Sequence, residues 1–534
     1  MKRVLKEWGG LILLLVGFLA SAAWVFFRSG PLGSDRPIVI RIAHWQIEKG
    51  PPAGIDAMIK RYEELNPRVR VEQVMIPGTI FIQWARSNFT AGEGPDLVEY
   101  GIWLQGMSDI PPRYFAPITE ELMKPNPYNR GTPLEGVPWI KTFLPGFEAQ
   151  LATAPDPGQY YAVPITDVSF RIFVNRALFK EVFGDMPLPT TFQDLRDLSA
   201  RLQKDPRRRA GSLHLFAGSR DNAYWLMESL LQSTMVQQSY AMDRDGLLTL
   251  YPRQTFGAYL EGRWRYDEPR MLAGLELVRE MGGFMRPGFL QLTRDQALQE
   301  FMRGDAVFIG GGTWDATSFK TLATFPIGVF RLPQPTKSDP VAGKYSMGRV
   351  YDGGGVGAMA FYLNRYSHHR EQALDFMRFM TSVPGAQLFT DASGWLPMVR
   401  DVKIAPDIAP FQAQYDGYAN GGAYSILGTD VPQAFLRNMH LIYTGPDGPE
   451  RFAKAMDATM PAAMRADLEA ERRKSEAVVR PQDVRIVGSH FAALESGDPQ
   501  RYKVLQEQLE TTQADGEAAM LQMQVQLRAA PRQP

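Results

Sequence analysis

Strand-like and helix-like runs alternate between residues 38 and 100, and this alternation constrains the fold more than any other feature of the sequence. Apolar side chains recur at every second residue in the strand-like runs, and at three- and four-residue spacing in the helix-like runs. In chain order the runs are a strand at 38–43, a helix at 55–65, a strand at 69–74, a helix at 81–89 and a strand at 96–100. Strands that alternate with helices of this length predict an α/β fold with a largely parallel sheet.

The same alternation returns in the middle of the chain. Thr191–Asp194 has the spacing of a capping box that opens a helix. The strand-like runs are 169–175, 306–309 and 356–363; glycine clusters follow the second of these runs, at Gly310–Gly312, and precede the third, at Gly353–Gly355. Two α/β blocks joined by glycine-rich strand ends predict two lobes that the chain crosses several times.

The amino-terminal residues have the pattern of an export signal. Lys2, Arg3 and Lys6 precede an apolar run at residues 8–27, which as a helix is long enough to span the hydrocarbon core of a bilayer. Ala20-Ser21-Ala22 fits the cleavage site of a signal peptide, whereas the apolar residues that continue beyond it fit a retained membrane anchor. Both alternatives stay open. Either one places the chain after Arg28 outside the cytoplasm, because the basic residues stay inside.

Charge and composition exclude several classes of function. Lys plus Arg and Asp plus Glu both number 58, so the chain lacks the basic surplus on which nucleic-acid binding depends. It contains no cysteine, and its six histidines lack the H-x-x-x-H spacing of a metal-binding helix. The glycine clusters do not match a phosphate-binding loop. We therefore expect no metal, no cofactor and no nucleic-acid partner.

The composition changes beyond about residue 445. Residues 465–476 are dense in charges of alternating sign, as on a solvated helix face, and apolar residues between Tyr502 and Leu527 keep helical spacing. We predict a helical extension at 446–534 that packs back onto the main body; a helix that binds a partner is the alternative.

In its ordered series of short segments, the chain from about Ile38 to Asp401 resembles the extracellular solute-binding proteins of ABC importers, in particular the maltose- and oligosaccharide-binding family. The segments that carry the resemblance are IRIAHW at 40–45, YEELNP at 62–67, GPDLVE at 94–99, YAVPITD at 161–167, FVNRALF at 173–179, FMRGDAVFIG at 301–310, GTWD at 312–315, GGVGAMA at 354–360 and GWLPMVRD at 394–401. Each segment alone is weak, but their order over about two-thirds of the chain is specific. The chain departs from the family in its length beyond residue 445 and in lacking a lipid-anchoring cysteine.

The resemblance implies an α/β fold of two lobes, of the periplasmic-binding-protein type with multiple hinge crossings, in which hinge motion closes a cleft on the ligand. We place the first lobe at 37–165 and 313–355, and the second at 166–312 and 356–445. The implied function is capture of a sugar or oligosaccharide and delivery to the permease subunits of an ABC importer in the inner membrane. The expected location is the periplasm or cell envelope, with membrane contact through residues 8–27 if that segment is not cleaved.

Aromatic rings supply flat faces for a sugar, and carboxylates orient its hydroxyl groups. Most of the candidate ligand contacts lie near strand ends or lobe crossings, whereas Trp225 lies on an apolar helix and Trp395 in a loop before Leu396-Pro397. The candidates are Trp45, Glu99, Tyr100, Trp103, Asp167, Trp225, Trp314, Tyr351, Asp352 and Trp395. The predicted hinge residues are Pro164, Gly310, Gly311, Gly312, Gly353, Gly354 and Gly355.

Two other classes of protein remain as alternatives. A membrane-tethered sensor would use the same closure to report the ligand to a partner protein. A carbohydrate-active enzyme would need two carboxylates about 5–10 Å apart across the scissile bond. The resemblance offers no reaction for such a pair, so we expect a binding protein and not an enzyme.

Overall fold

The structure is a computed structural model. It describes residues 38–47, 50–90, 94–100, 110–145, 147, 159–243, 250, 252–350, 352, 358–414, 417–418, 428–495 and 516–528. Four sets of predictions lie outside these residues: the export segment at 1–28, Trp103, Tyr351 and Gly353–Gly355. In the part of the chain that is described, no helix is both long enough and apolar enough to cross a membrane.

Between residues 38 and 99 the described strands and helices alternate as the sequence predicts. The strands are β1 (Ile38–His44), β2 (Val69–Met75), β3 (Leu97–Glu99), β4 (Ala162–Thr166), β5 (Phe170–Asn175), β6 (His214–Ala217), β7 (Ala306–Gly312), β8 (Ile327–Phe330) and β9 (Ala358–Leu363). The helices are α1 (Gly50–Leu65), α2 (Gly78–Thr90), α3 (Ile110–Tyr114), α4 (Thr119–Leu122), α5 (Arg176–Phe183), α6 (Phe192–Leu202), α7 (Pro206–Arg209), α8 (Arg220–Met242), α9 (Pro252–Leu260), α10 (Pro269–Gly283), α11 (Arg294–Arg303), α12 (Ala316–Leu322), α13 (Arg370–Met380), α14 (Val383–Ser393), α15 (Asp430–Asn438), α16 (Gly448–Glu495) and α17 (516–528).

The first lobe is built on a sheet with the strand order β2-β1-β3-β9-β4. β1 pairs in parallel with β2 and β3, whereas β9 runs antiparallel to both β3 and β4. Ile40 and Ile42 are buried in one core cluster of this lobe, and Arg41, which lies between these two isoleucines, is exposed. Ala43 points to the opposite face of the sheet and is buried in a second cluster. The alternation predicted for the first strand is thus confirmed.

The second lobe is built on a sheet with the order β6-β7-β5-β8. β6 and β7 are parallel, and β5 runs antiparallel to β7 and β8. The capping box predicted at Thr191 is confirmed: the Thr191 side chain accepts the Asp194 N–H, and the Asp194 side chain accepts the Thr191 N–H. It begins α6, whose apolar face closes one side of the second core.

Over the elements that the structure describes, the chain passes between the two lobes at three places. The first crossing is 167–169, between β4 and β5; the second lies between β8 and β9; and the third follows α14. The first and third crossings run side by side, because Asp167 N–H donates to Leu396 O at 3.0 Å and Thr166 pairs with Pro397.

The predicted division of the chain after residue 312 is wrong for the strands that follow. β8 lies in the second sheet, although the sequence predicts 313–355 in the first lobe. β9 lies in the first sheet and α13 and α14 pack on the first core, although 356–445 is predicted in the second lobe. Sheet partners are distant in sequence, so the local pattern that predicts a strand does not say which sheet it joins.

The hinge predicted at Gly310–Gly312 is also wrong. These residues end β7, and the chain then continues into α12 and β8 without leaving the second lobe. Pro164 lies inside β4, paired with Ala360, three residues before the first crossing begins.

The sequence predicts that the carboxyl-terminal extension packs on the main body; over the residues that are described it does so, on the second lobe. Phe452, Met456, Met460 and Met464 of α16 are buried in the second core. The carboxylate of Asp467 accepts the backbone N–H groups of residues 429, 430 and 431 at 2.8–3.0 Å and so caps the start of α15.

α17 lies against α16 and α9. Met523 packs with Leu260 and Leu468, and Arg465 Nη1 donates to Leu527 O at 2.8 Å. A Cβ on Gly516 would lie 2.5 Å from Val479, so glycine lets the two helices approach closely there. Further along α16 the exposed apolar side chains among the described residues are Val484, Val487, Phe491 and Leu494.

A buried carboxyl group lies at the amino-terminal edge of the second sheet. Glu300 is 3% exposed, its Oε2 has no hydrogen-bond partner, and burial raises its pKa from 4.5 to about 7 against the opposing effect of Arg286. The unfolded chain therefore loses this proton at lower pH than the folded chain. We expect the free energy of unfolding to fall by about 1–2 kcal/mol between pH 4.5 and 7, after allowance for solvent screening, and then to level off.

Urea unfolding of Glu300→Gln at several pH values tests this expectation. The glutamine variant should lack this decrease and be more stable than the wild type above pH 7. Glu64→Gln, at an exposed position, is the control and should keep the wild-type profile. Parallel profiles for Glu300→Gln and the wild type would contradict the assignment.

Candidate ligand-binding site

The carboxyl ends of strands from both sheets meet at the boundary between the lobes. β1, β3 and β4 end at one edge of the first sheet, because β9 is antiparallel to its two neighbours. β6 and β7 end at the edge of the second sheet where β5 begins. The first crossing joins the end of β4 to the start of β5, so it brings these two edges together. Ligands of α/β folds bind beyond such strand ends.

A pair of tryptophans from the second lobe lies at this boundary. Trp225, on the second turn of α8, and Trp314, just after β7, have ring centroids 5.6 Å apart and planes at 74°. Phe170, the first residue of β5, is edge-on to Trp225 at 6.4 Å. Trp314 also packs against the core of the first lobe. The structure therefore brings together two residues that lie 89 positions apart in the sequence, and both are partly exposed.

An ion pair borders the two tryptophans. The Arg294 guanidinium lies 5.8 Å from the centre of the Trp225 ring and pairs with the buried carboxylate of Asp315. The other oxygen of Asp315 accepts the Gly312 N–H at 3.3 Å, which fixes the turn that carries Trp314. Sequence analysis missed Arg294 and Phe170; an arginine at the start of a helix gives no local signal of an aromatic partner 69 residues away.

The glycine cluster makes room for this arrangement. A Cβ on Gly312 would collide with the Trp314 indole, and a Cβ on Gly310 would lie 2.7 Å from the Phe170 ring. A Cβ on Gly311 would lie 2.8 Å from the Asp315 carboxylate. The glycines therefore allow side chains to approach the backbone of β7 closely.

On the first lobe, Trp45 and Glu99 come together as neighbours. Glu99 is buried, and its carboxylate accepts the Trp45 N–H at 3.1 Å and the side-chain N–H of Gln46 at 2.7 Å. The Trp45 ring is half-buried and edge-on to Phe81 at 5.0 Å. Glu99 thus holds the loop that presents Trp45, and Gln46 is a polar neighbour that sequence analysis missed.

His44 ends β1 directly before this loop. It is buried, and its Nε2 lies 2.6 Å from Gln73 Oε1, whose amide nitrogen donates to Asp56. This orientation of the amide makes His44 Nε2 the donor. Burial lowers the pKa of the imidazole, which favours the neutral form beside the Trp45 loop.

Tyr100 and Trp395 lie inside the protein. The Tyr100 ring packs edge-on against Phe115 and Tyr362, and Trp395 lies in the first core with its indole N–H lacking a hydrogen-bond partner. Both rings therefore contact other protein side chains, and the ligand contacts that the sequence predicts for Tyr100 and Trp395 stay predictions.

Asp167 and Asp352 lie in the crossings. Asp167 is buried and its carboxylate accepts the Val168 N–H at 2.8 Å. Asp352 pairs with Arg171 at 2.9 Å and with Arg331 at 3.5 Å. Across the described parts of the chain, no group of three or more His, Asp or Glu side chains is placed to hold a metal ion.

Comparison with known proteins gives the class to which this architecture belongs. The family of bacterial extracellular solute-binding proteins matches residues 48–387, and the chain belongs to this family. An uncharacterized ABC transporter extracellular-binding protein of Pyrococcus horikoshii is 21% identical over 422 residues, which cover 77% of this chain and 84% of the relative.

Solved structures agree with this fold at low sequence identity. The apo form of RafE from Streptococcus pneumoniae has a TM-score of 0.56 at 17% identity, covering 81% of this chain and 99% of RafE. RafE in complex with raffinose has a TM-score of 0.54 at 17% identity, and the match covers 80% of this chain and 100% of RafE. A solute-binding protein of Thermotoga lettingae bound to α-D-tagatose has a TM-score of 0.55 at 17% identity, and the match covers 80% of this chain and 100% of that protein.

Proposed function

We propose that the protein is the substrate-binding component of an ABC importer, and that it captures a sugar or oligosaccharide between its lobes. The observation that carries the proposal is the pair of partly exposed tryptophans, Trp225 and Trp314, at the boundary where strands of both sheets end. Indole rings offer apolar faces to the C–H surface of a sugar ring. When the lobes close around the ligand, Trp45 on the first lobe supplies a third aromatic ring to contact it.

Three further observations support this function. The chain belongs to a family of binding proteins, and two of the similar structures are named with raffinose and tagatose as their bound ligands. The Arg294–Asp315 pair neutralises the charges beside the tryptophans, which favours an uncharged ligand. The three crossings give the hinge that closure of two lobes requires.

Delivery of the bound ligand to a membrane permease completes the proposal. The basic start and apolar run at residues 1–28 would direct the chain out of the cytoplasm, either as a cleaved signal or as an anchor in the cytoplasmic membrane. The work of the protein is then binding outside the cytoplasm, without chemistry on the ligand.

Thermal unfolding of the full chain against a panel of mono- and oligosaccharides, including raffinose and tagatose, tests the proposal. A saccharide that binds the folded protein should stabilise it by about 2.7 kcal/mol at a hundredfold excess over its dissociation constant, and be recovered unchanged. Isomeric sugars at equal concentration control for the general stabilisation that excluded solutes produce. Equal shifts for every sugar, or a ligand consumed during incubation, would contradict a saccharide carrier.

A further inference from the structure

One buried arginine contacts the second-lobe end of every crossing. Arg171 is the second residue of β5, directly after the first crossing, and its side chain is fully buried. Its five N–H groups meet five oxygen acceptors, which are Phe170 O at 2.7 Å, Asp352 Oδ2 at 2.9 Å, Pro410 O at 3.1 Å, Phe411 O at 3.2 Å and Gln412 O at 2.6 Å. The hydrogen-bonding capacity of the guanidinium is thus completely used.

The acceptors belong to segments that are far apart in sequence. Asp352 lies in the second crossing, six residues before β9 begins. Residues 410–412 follow the third crossing, and Phe411 packs in the second lobe against Phe173. Ser169 of the first crossing adds a direct contact, because its hydroxyl donates to Phe411 O at 2.5 Å.

The second and third segments are also joined to each other. Asp352 N–H donates to Gln414 O at 3.1 Å, and Gln414 N–H donates to Asp352 Oδ1 at 2.5 Å. The carboxylate of Asp352 is therefore held from both sides, by Arg171 and by the backbone beyond the third crossing. Arg331, just after β8, donates to Gln412 O at 3.3 Å and completes the network.

Arginine is suited to this position in a way that lysine is not. A planar fork of five donors reaches five acceptors, whereas an ammonium group offers three donors from one point. A lysine at position 171 has three donors for these five oxygens, so at least two of the five hydrogen bonds would be lost. The loss of buried hydrogen bonds favours rearrangements in which water replaces the missing donors.

We propose that Arg171 is the positioning residue of the hinge: it joins the second-lobe ends of the three crossings into one rigid unit. The lobes then rotate by bending of the crossings on the first-lobe side of this unit. This inference rests on the hinge closure of the proposed function. It explains why a fully buried charge lies where the chain changes lobes.

The interlobe distance distribution of the ligand-free full chain tests the proposal. Because the chain contains no cysteine, Lys60→Cys on α1 and Asp185→Cys after α5 add only two thiols, both at exposed positions, for a pair of spin labels. In the Arg171→Lys variant we expect a broader distribution, with the minor population increased on the order of tenfold.

Arg196→Lys is the matched control. Arg196 also lies within hydrogen-bond distance of buried or half-buried partners, Glu280 at 2.5 Å and Asp339 at 2.7 Å. Asp339 lies between β8 and β9, but it precedes Asp352 by 13 residues, in a stretch that still packs on the second core through Ala342. This variant should lower the unfolding midpoint while leaving the distance distribution unchanged. If Arg171→Lys likewise lowers only the midpoint, Arg171 has a merely structural role and the proposal is overturned.

Ser169→Ala keeps the proposal testable if Arg171→Lys does not fold. It removes one link between the first crossing and Phe411 without changing a charge, and should broaden the distribution in the same direction but less. An unchanged distribution in Ser169→Ala would then overturn the proposal. Since no ligand is added, a failure of every saccharide to bind would overturn the proposed function and leave this test intact.

Discussion

Replacing Trp314 with alanine should weaken saccharide binding by roughly 30- to 1000-fold, equivalent to about 2–4 kcal/mol. Trp314 contacts Trp225 of the second lobe and packs against the core of the first. Its loss would remove one stacking face and leave Phe170 as the remaining edge-on neighbour that is described for Trp225. Isothermal titration with the saccharide that raises the unfolding midpoint measures the effect.

Two variants make this expectation specific. Trp314→Phe keeps an aromatic face and should recover part of the affinity. Tyr366→Ala removes an exposed ring that follows β9 at the opposite edge of the first sheet, and should leave the affinity unchanged. Equal affinity for Trp314→Ala and Tyr366→Ala would show that the ligand does not meet the tryptophan pair.

Truncating Met460 of α16 to alanine should lower the free energy of unfolding by about 2–5 kcal/mol. Met460 is fully buried in the core of the second lobe, although it belongs to the extension beyond residue 445. The alanine leaves a cavity among side chains of α16 and the helices of the main body. Chemical denaturation monitored by circular dichroism measures the change.

Leu494→Ala is the control from the same helix. Leu494 is 81% exposed, so its truncation should change the free energy of unfolding by no more than about 0.5 kcal/mol. If the Met460 variant were equally mild, α16 would be an appendage and the second lobe would be complete without it.

Local patterns predicted individual elements well, because a strand or a helix is encoded by its own residues. The alternation at Ile38, Ile40 and Ile42 and the capping box at Thr191 both appear in the structure as predicted. The placement of β9 was not predictable in this way. Its sequence reads as an apolar strand, but its partners β3 and β4 are separated from it by about two hundred residues or more.

The candidate site shows the same limit. Proximity to a strand end singled out both Glu99 and Tyr100, yet consecutive residues of a strand point to opposite faces. Glu99 accepts hydrogen bonds from the Trp45 loop, whereas Tyr100 packs among aromatic rings. The partnership of Trp225 with Trp314 depends on the packing of α8 beside β7, which no local spacing encodes.

Arg171 carried a signal that could have been recognised. It lies within an otherwise apolar strand, between Phe170 and Ile172, where an unpaired charge would be costly. Such a residue must find several acceptors, and in this chain they lie about 180–240 residues further along. The sequence indicates that partners must exist, but only the fold identifies them.

The length of α16 gives it the geometry of a lever arm. The helix is fixed to the second lobe through Met464 and Asp467, and its last residue lies 28 positions beyond Asp467, which is about 40 Å at 1.5 Å per residue. When the second lobe turns by 10° about any axis perpendicular to this helix, the tip moves by about 7 Å relative to Asp467. A small rotation at the hinge is thus accompanied by a displacement of several ångströms at the far end of α16.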